Sequence, residues 1–350
     1  MLMAWVTAAA LAVGPAVPAG ELQKGLDGVV AIGAVAEVRD NGKVWRGSSG
    51  VAELGKTRKA PVAGRFRAGS ISKTFVATVV LQLVAEGRMR LDDPVERYLP
   101  GVVPNGENIT VRQLLNHTSG LYDFKKTLVM PPGAEFYTYQ YRTWTAAEQI
   151  ARAVANPPVF KEPGSQFDYS NTNYLVLGEI IEKVTGRTYG EEIERRLIRP
   201  LRLHGTSMPG TSTRIPGPHM HGYVPKDDEM LDFTEMNPSL FGASGELIST
   251  THDLNTFFGA LLGGRLLPAQ LLAEMKEAGT EDGTYGLGLS WHDTACKVRV
   301  YGNDGDALAY QAYAFSTEDT RKQVAVAVTP NLPANPDDSV DALVDRAICG

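Results

Sequence analysis

Residues 66–87 run Phe66-Arg67-Ala68-Gly69-Ser70-Ile71-Ser72-Lys73, then Thr74 to Val84, and close on Gly87. Phe75, Val76, Val79, Val80, Leu83 and Val84 recur at i, i+3, i+4, the stripe of a helix with one buried face. The stretch predicts a long helix that starts near Ser70 and stops at Gly87. Positions three apart are neighbours on a helix, so the Ser70 hydroxyl and the Lys73 amine share a face, as a nucleophile and its base would. A serine at a helix start also sets a developing oxyanion beside unsatisfied N–H groups and the positive end of the dipole. The amine acts as a base once burial or nearby cations bring its pKa from about 10 toward neutrality. The competing reading is a serine cap followed by a solvated lysine, and about one S-x-x-K is expected by chance in a chain of this length.

Upstream of this helix, Val29 to Val38 and Val44 to Ala52 are apolar runs separated by Asp40-Asn41-Gly42-Lys43, the strongest short signal for a β-hairpin. Downstream, the middle of the chain reads as helices and loops: Val111 to Asn116, Thr145 to Ala155, Asn173 to Val184, Tyr189 to Leu197 and Thr250 to Leu262. Strand signals return at Tyr285 to Trp291, Lys297 to Tyr301, Ala307 to Phe315 and Val324 to Val328, and a last helix runs from about Asp337 to Ile348. Two chain ends that both supply strands most economically share one antiparallel sheet, which leaves the middle as an inserted helical lobe. The expected fold class is therefore α/β (α+β), an antiparallel sheet flanked by helices. Residues 21–85 and 280–350 form the sheet domain and 86–279 the mainly helical one, with the default site in the cleft between them.

The 350 residues are 43% hydrophobic and 21% charged, which is ordinary globular composition and excludes disordered and fibrous classes. A net charge of −6 without a basic cluster argues against nucleic acid as a partner. Cys296 and Cys349 are too few for a disulfide framework and too far apart for a C-x-x-C pair. They either bond to each other or stay free; pairing is the favoured reading, and it implies an oxidising, extracytoplasmic compartment. Residues 1–20 read as a leader or N-terminal extension with an apolar run from Ala4 to Val13. They lack a basic n-region, which leaves a cytoplasmic location open. No later run reaches the ~18 apolar residues that span a bilayer.

Two further stretches carry candidate chemistry. Tyr169-Ser170-Asn171 lies in a polar loop before a helix: a tyrosine there can relay a proton from nucleophile to leaving group, and Asn171 can hold a substrate amide with donor and acceptor together. The alternative is that Ser170 or Asn171 caps the helix and Tyr169 packs. Asn303-Asp304-Gly305-Asp306 reads either as a hairpin turn or as a glycine-bearing strand edge against which a substrate backbone could lie. The sequence has no G-x-S-x-G elbow. His219 and His221 with Asp227 and Asp228 lack a metalloprotease spacing and read as surface, and His117 reads as structural.

Together these pieces resemble the SxxK serine acyl-enzymes: secreted DD-peptidases, class C β-lactamases and their relatives. The resemblance runs from about Phe66 to Gly350. It includes Leu114-Leu115-Asn116-His117-Thr118-Ser119-Gly120-Leu121, Tyr169-Ser170-Asn171-Thr172-Asn173-Tyr174 and Tyr285-Gly286-Leu287-Gly288-Leu289, and in pattern it is most similar to a soluble D-Ala-D-Ala carboxypeptidase, cysteines included. The resemblance implies a β-lactamase/transpeptidase-like fold, acylation at Ser70, proton handling by Lys73 and Tyr169, an amide contact from Asn171, and an oxyanion hole from the N–H groups of Ser70 and Asp306. The third motif departs from the family pattern. Where the family carries Lys or His, then Thr or Ser, then Gly, this chain has Asn303-Asp304-Gly305 followed by Asp306, and Ser290 stands where the similar carboxypeptidases have Arg. Two carboxylates there disfavour a substrate with a free carboxylate, although Arg299 could still supply a cation.

The expected function is a serine acyltransferase or hydrolase, a transacylase or esterase. It forms an acyl-enzyme on Ser70 from a small ester or amide that lacks a free carboxylate, and transfers the acyl group to water or an amine. Substrate contacts are expected from Asn171, Ser290, Asn303, Asp304, Gly305 and Asp306. A D-Ala-D-Ala carboxypeptidase that binds penicillins and a non-catalytic binding or sensor protein are the rivals. No metal or organic cofactor is implied, because Ser/Lys acyl transfer needs none. The sequence leaves the oligomeric state open.

Overall fold

The Asn41-Gly42 pair turns the first hairpin as its composition requires: both residues sit at positive φ, 48° and 84°, the type I′ geometry that matches strand twist. The structure, a computed structural model, describes residues 17–281, 283–331 and 334–350. Most of the leader read in the sequence lies outside the described residues. The strands are β1 (Ala31–Asp40), β2 (Lys43–Gly50), β3 (Phe66–Arg67), β4 (Tyr223–Lys226), β5 (Glu229–Asp232), β6 (Ile248–Ser249), β7 (Ser290–Asp293), β8 (Arg299–Asp306), β9 (Gln311–Thr317) and β10 (Lys322–Pro330). Six of them form one antiparallel sheet in the order β2-β1-β10-β9-β8-β7. The two ends of the chain therefore meet at β1 and β10. β3 pairs with β6, and β4 with β5, in two small separate ladders.

The helices are α1 (Ala19–Asp27), α2 (Ser72–Ala85), α3 (Val111–Leu115), α4 (Ala146–Val154), α5 (Asn171–Thr185), α6 (Tyr189–Ile193), α7 (Arg199–Leu201), α8 (Thr251–Leu262), α9 (Ala269–Met275) and α10 (Asp337–Cys349). The period-2 alternation of β10 assigns them to layers. Val324, Val326 and Val328 meet Leu22 and Leu26 of α1 and Val340, Leu343 and Val344 of α10. Ala325 and Ala327 face the opposite side with Ala312 and Ala314 of β9. Those small side chains admit α8 close to the sheet, where Gln323 Nε2 donates to the Asn255 carbonyl at 2.8 Å and Asn255 Nδ2 to the Glu37 carbonyl at 3.0 Å. α8 thus packs on the sheet although it lies within the span 86–279 read as helical lobe. α1 likewise carries the fold back to Ala19, across the expected boundary at residue 20.

α2 is buried all round rather than along one stripe: every residue from Ser72 to Leu81 is buried. It runs between α5 and α6 on one side and, through Phe75 on Phe257 and Thr74 on Asn303, α8 and β8 on the other, so its first ten residues have no face left for solvent. Phe75 stacks on Phe257 of α8 at 3.7 Å between ring centroids, and truncating it to alanine would cost about 3–5 kcal/mol.

The late strands differ from the sequence reading in where they begin and end. β7 begins at Ser290, not Tyr285, because Gly288 at φ 74° and the bonding of its carbonyl to Thr74 Oγ1 (2.7 Å) divert the chain. β8 extends through Asn303-Asp304-Gly305-Asp306, so this stretch is strand and the turn follows it, with Ala307 N–H donating to the Tyr310 carbonyl. Cys296 and Cys349 are bonded, with Cα atoms 5.8 Å apart, and tie the end of α10 to the β7–β8 connection.

Candidate active site

Ser70 occupies the middle of a 3-10 turn, Gly69–Ile71, that leads directly into α2, two positions before the helix proper. Ser72 fixes this turn: its Oγ donates to the Gly69 carbonyl at 2.7 Å and accepts from Leu247 N–H at 3.0 Å. Gly69 sits at φ 53°, and a Cβ there would lie 2.6–2.8 Å from the backbone of Asp306. A Cβ on Gly305 would collide with the Ala68 carbonyl and stand 2.7 Å from the Ser70 nitrogen. Both glycines are required by the close approach of the end of β8 to the serine turn. In the β8–β9 ladder Ala307 N–H bonds the Tyr310 carbonyl, so Asp306, paired one step on with Gln311, turns its N–H away from β9 toward that turn.

Lys73 Nζ lies 3.0 Å from Ser70 Oγ, 2.9 Å from Asn171 Oδ1 and 2.7 Å from the Ser244 carbonyl. A neutral amine has two N–H bonds and one lone pair. With the two hydrogens given to Asn171 and Ser244, the lone pair is left for the Ser70 hydroxyl proton. Lys73 is fully buried, and this desolvation lowers its pKa from 10.5 to about 7 against the pull of Asp123, with Lys125 pushing it further down. Tyr169 O–H donates to Ser70 Oγ at 2.7 Å, which completes a chain from phenol through hydroxyl to amine. Burial holds the phenol pKa well above 10, so it is a neutral donor.

The Tyr169 loop is set from behind by His117. This imidazole packs 4.3 Å from the Tyr169 ring, and its Nδ1 accepts from Ser170 N–H at 3.2 Å and pairs with Asn173 Nδ2 at 3.0 Å. Burial drives its pKa well below 6.5, so it stays neutral. Asn171, the first residue of α5, is held by Asp123, whose carboxylate accepts from Asn171 Nδ2 at 3.0 Å and from its backbone N–H at 3.3 Å. Its carbonyl oxygen and one amide hydrogen are thus engaged within the protein, and a single N–H remains for a ligand. This is less than the donor-plus-acceptor pair read from the sequence.

A cavity of about 360 Å³ opens above Ser70, and Tyr169, Asn171, Ser290, Asn303, Asp304 and Asp306 all line it. Their roles in it differ. Asn303 is buried and tied to the nucleophile helix, donating from Nδ2 to Thr74 Oγ1 at 3.2 Å. Ser290 Oγ donates to the Gly302 carbonyl at 3.0 Å. Asp306 Oδ1 accepts from Leu308 N–H at 2.6 Å, so this carboxylate partly serves the turn. Asp304 has no such partner. It is open to the cavity, yet desolvation by the surrounding walls, followed by repulsion from Asp337 and Asp306, raises its pKa.

Arg299 is not in the cavity: it pairs with Asp293 at 2.9 Å at the far end of β8. The cation there is Lys125, which lines the cavity from the turn after Asp123 and forms no ion pair among the described residues. Asp123, Lys125 and the Ser244 carbonyl are what the sequence reading missed. A carboxylate between the apolar Leu121 and Phe124 was a usable signal for Asp123, whereas a main-chain acceptor such as Ser244 leaves none.

Among the described residues no group of carboxylates, histidines or cysteines is placed to hold a metal ion, and no helix is long and apolar enough to cross a membrane.

The Beta-lactamase family model matches residues 21–349. Among solved structures, a D-stereospecific amidohydrolase from Streptomyces sp. is 38% identical with a TM-score of 0.86, covering 95% of this chain and 99% of that one. The D-amino acid amidase from Ochrobactrum anthropi SV3, solved with L-phenylalanine amide, is 27% identical with a TM-score of 0.81, covering 93% and 97%. PbpX of Bacillus subtilis (strain 168), whose name places it with the penicillin-binding proteins, is 28% identical over 64% of this chain; the chain spans about half of its length, 53%.

Proposed function

This chain belongs to the Beta-lactamase family, and on that footing we propose that it is a serine amidohydrolase of the acyl-enzyme type, acting on small amides and esters whose acyl part carries a free amine. The carrying observation is the fully buried Lys73 Nζ at 3.0 Å from Ser70 Oγ, where desolvation brings the amine pKa down to about 7. Ser70 Oγ attacks the carbonyl carbon as its proton passes to Lys73 Nζ. The resulting oxyanion is held by the N–H groups of Ser70 and Asp306, at the start of α2. Tyr169 O–H, 2.7 Å from Oγ, relays the proton to the departing amine or alkoxide, leaving the acyl group esterified to Ser70. Water, or an acceptor amine, then attacks the ester by the reverse proton path, and either the free acid or a new amide leaves.

Asp304 selects the acyl part. An α-ammonium group on the donor finds a carboxylate that forms no ion pair among the described residues, and a charged hydrogen bond of this kind contributes about 1.5–3 kcal/mol. Amides of D-amino acids fit this reading, in line with the two amidase-type relatives. The disulfide suits an oxidising, extracytoplasmic compartment.

The test is incubation with D-phenylalanine amide and with a p-nitrophenyl ester, followed by intact-mass and peptide mass spectrometry. Hydrolysis with an adduct on Ser70 is expected, and both should vanish in Ser70→Ala. A Ser70→Ala variant that still hydrolyses these substrates would refute the reading.

One observation supports a second reading. Lys125 gives the cavity a cation able to hold a carboxylate, as a DD-carboxypeptidase would need. Stoichiometric labelling of Ser70 by a fluorescent penicillin at micromolar dose, lost in Lys125→Met, would favour it.

A further inference from the structure

Behind the catalytic cavity lies a second one of about 220 Å³, walled off by the segment Phe241–Glu246. Glu246 lines it and is only 3% exposed. Its Oε1 accepts from Tyr189 O–H at 2.9 Å; the backbone of Gly210 also faces the carboxyl, but not closely enough to give its Oε2 a hydrogen-bond partner. Trp144 lines the same cavity, is equally buried, and its indole N–H is also without a partner. Buried polar atoms in native proteins are nearly always satisfied, so one orphaned acceptor and one orphaned donor on a shared cavity indicate an occupant that supplies both complements.

Charge narrows the occupant further. Glu179 and Glu182, three apart on α5, share a helix face and line the same cavity. Among the described residues none of the three glutamates forms an ion pair. Two guanidinium groups lie on the Trp144 ring and are otherwise engaged, Arg142 with Glu148 and Arg152 with the Thr127 carbonyl. Tyr189 and, beyond it, Glu191 are the other titratable groups facing these carboxylates, and neither brings positive charge. Desolvation raises the pKa of all three glutamates, Glu246 to about 7, as expected of carboxylates lacking a counter-ion. The three do not form a group placed to hold a single metal ion.

We propose that this cavity is a second ligand site, for a small organic cation of the amino-alcohol or amino-amide class. Its ammonium group meets the glutamates, and its neutral oxygen accepts from the Trp144 indole N–H. The site goes beyond the proposed hydrolysis and does not depend on it. It also abuts the catalytic base, because the Ser244 carbonyl that receives Lys73 Nζ belongs to the dividing wall.

The test uses 2-amino-1-propanol, which has no acyl group to hydrolyse, titrated into the full chain with ¹⁵N-labelled tryptophan. The Trp144 indole signal is assigned with Trp144→Phe. A saturable shift of that signal is expected, at least tenfold weaker in affinity in Glu179→Gln/Glu182→Gln, whose half-exposed positions should leave the thermal melt in place, and unchanged in Asp304→Asn. Absence of a saturable shift up to 50 mM, an equal shift with sodium chloride, or loss of the shift in Asp304→Asn would each overturn the proposal. The last would place the ligand in the catalytic cavity instead. Failure of Ser70 to acylate would leave this result untouched, so the two readings fail separately.

Discussion

Lowering the pH through neutrality should switch the enzyme off by protonating one buried amine. The pKa of Lys73 lies at about 7 instead of 10.5, so about half of the molecules carry a neutral amine at pH 7, roughly one in eleven at pH 6 and roughly one in a hundred at pH 5. kcat/KM for a p-nitrophenyl ester should therefore fall about fivefold from pH 7 to 6 and about fiftyfold from 7 to 5, with a plateau above about pH 8. His117 cannot supply this limb, because it stays neutral to well below its ordinary value. Glu246 titrates in the same range behind the cavity wall, so Glu246→Gln is the control and should retain the limb. Lys125→Met removes a like charge that pushes the Lys73 pKa down, and the limb should move to higher pH. The same shift has a signature in stability. Between pH 7 and 10.5 the unfolded chain holds a proton on Lys73 that the folded chain lacks, so stability should rise with pH across that window. The rise amounts to about 5 kcal/mol, and it should be missing in Lys73→Met when urea unfolding is followed at several pH values. A rate profile flat down to pH 5.5, or a limb that moves downward in Lys125→Met, would refute the assignment of Lys73 as base.

Tyr169→Phe deletes the 2.7 Å bond to Ser70 Oγ, and kcat should drop about 10²–10⁴-fold with KM and the thermal melt little changed; steady-state kinetics on an amide read this directly. In Gly305→Ala the new methyl group meets the Ala68 carbonyl and the Ser70 N–H, so acylation of Ser70 should be lost in a protein that still shows the parent circular dichroism. Cys349→Ser opens a 53-residue separation closed by the disulfide, which the chain-entropy relation values at about 4 kcal/mol. Urea midpoints for the variant and for the reduced parent should agree.

The sequence by itself determined the elements with a local cause: the Asn41-Gly42 hairpin and the helix after Ser70. The sharing of one antiparallel sheet by the two chain ends followed from the order of the elements, and the grouping of Ser70 and Lys73 with Tyr169 and Asn171 from the resemblance to the SxxK acyl-enzymes. Helix spacing put Ser70 and Lys73 on one face, and that relation survived folding although Ser70 lies in the 3-10 turn ahead of α2, because it spans a single turn of continuous chain. Only the tertiary structure decided the rest. Full burial of Lys73 comes from packing α2 on all sides, and it makes the amine a base; the sequence pattern showed one apolar stripe. The two hydrogens of that amine are taken by Asn171, 98 residues away, and by a main-chain carbonyl at Ser244, 171 residues away. The exchange of Arg299 for Lys125 as the cavity's cation, and the split between Asp306 serving its turn and Asp304 facing the cavity, likewise follow from how distant segments close on one another. Desolvation and charge pairing depend on distances in three dimensions, and a linear pattern constrains those only within a turn or a strand.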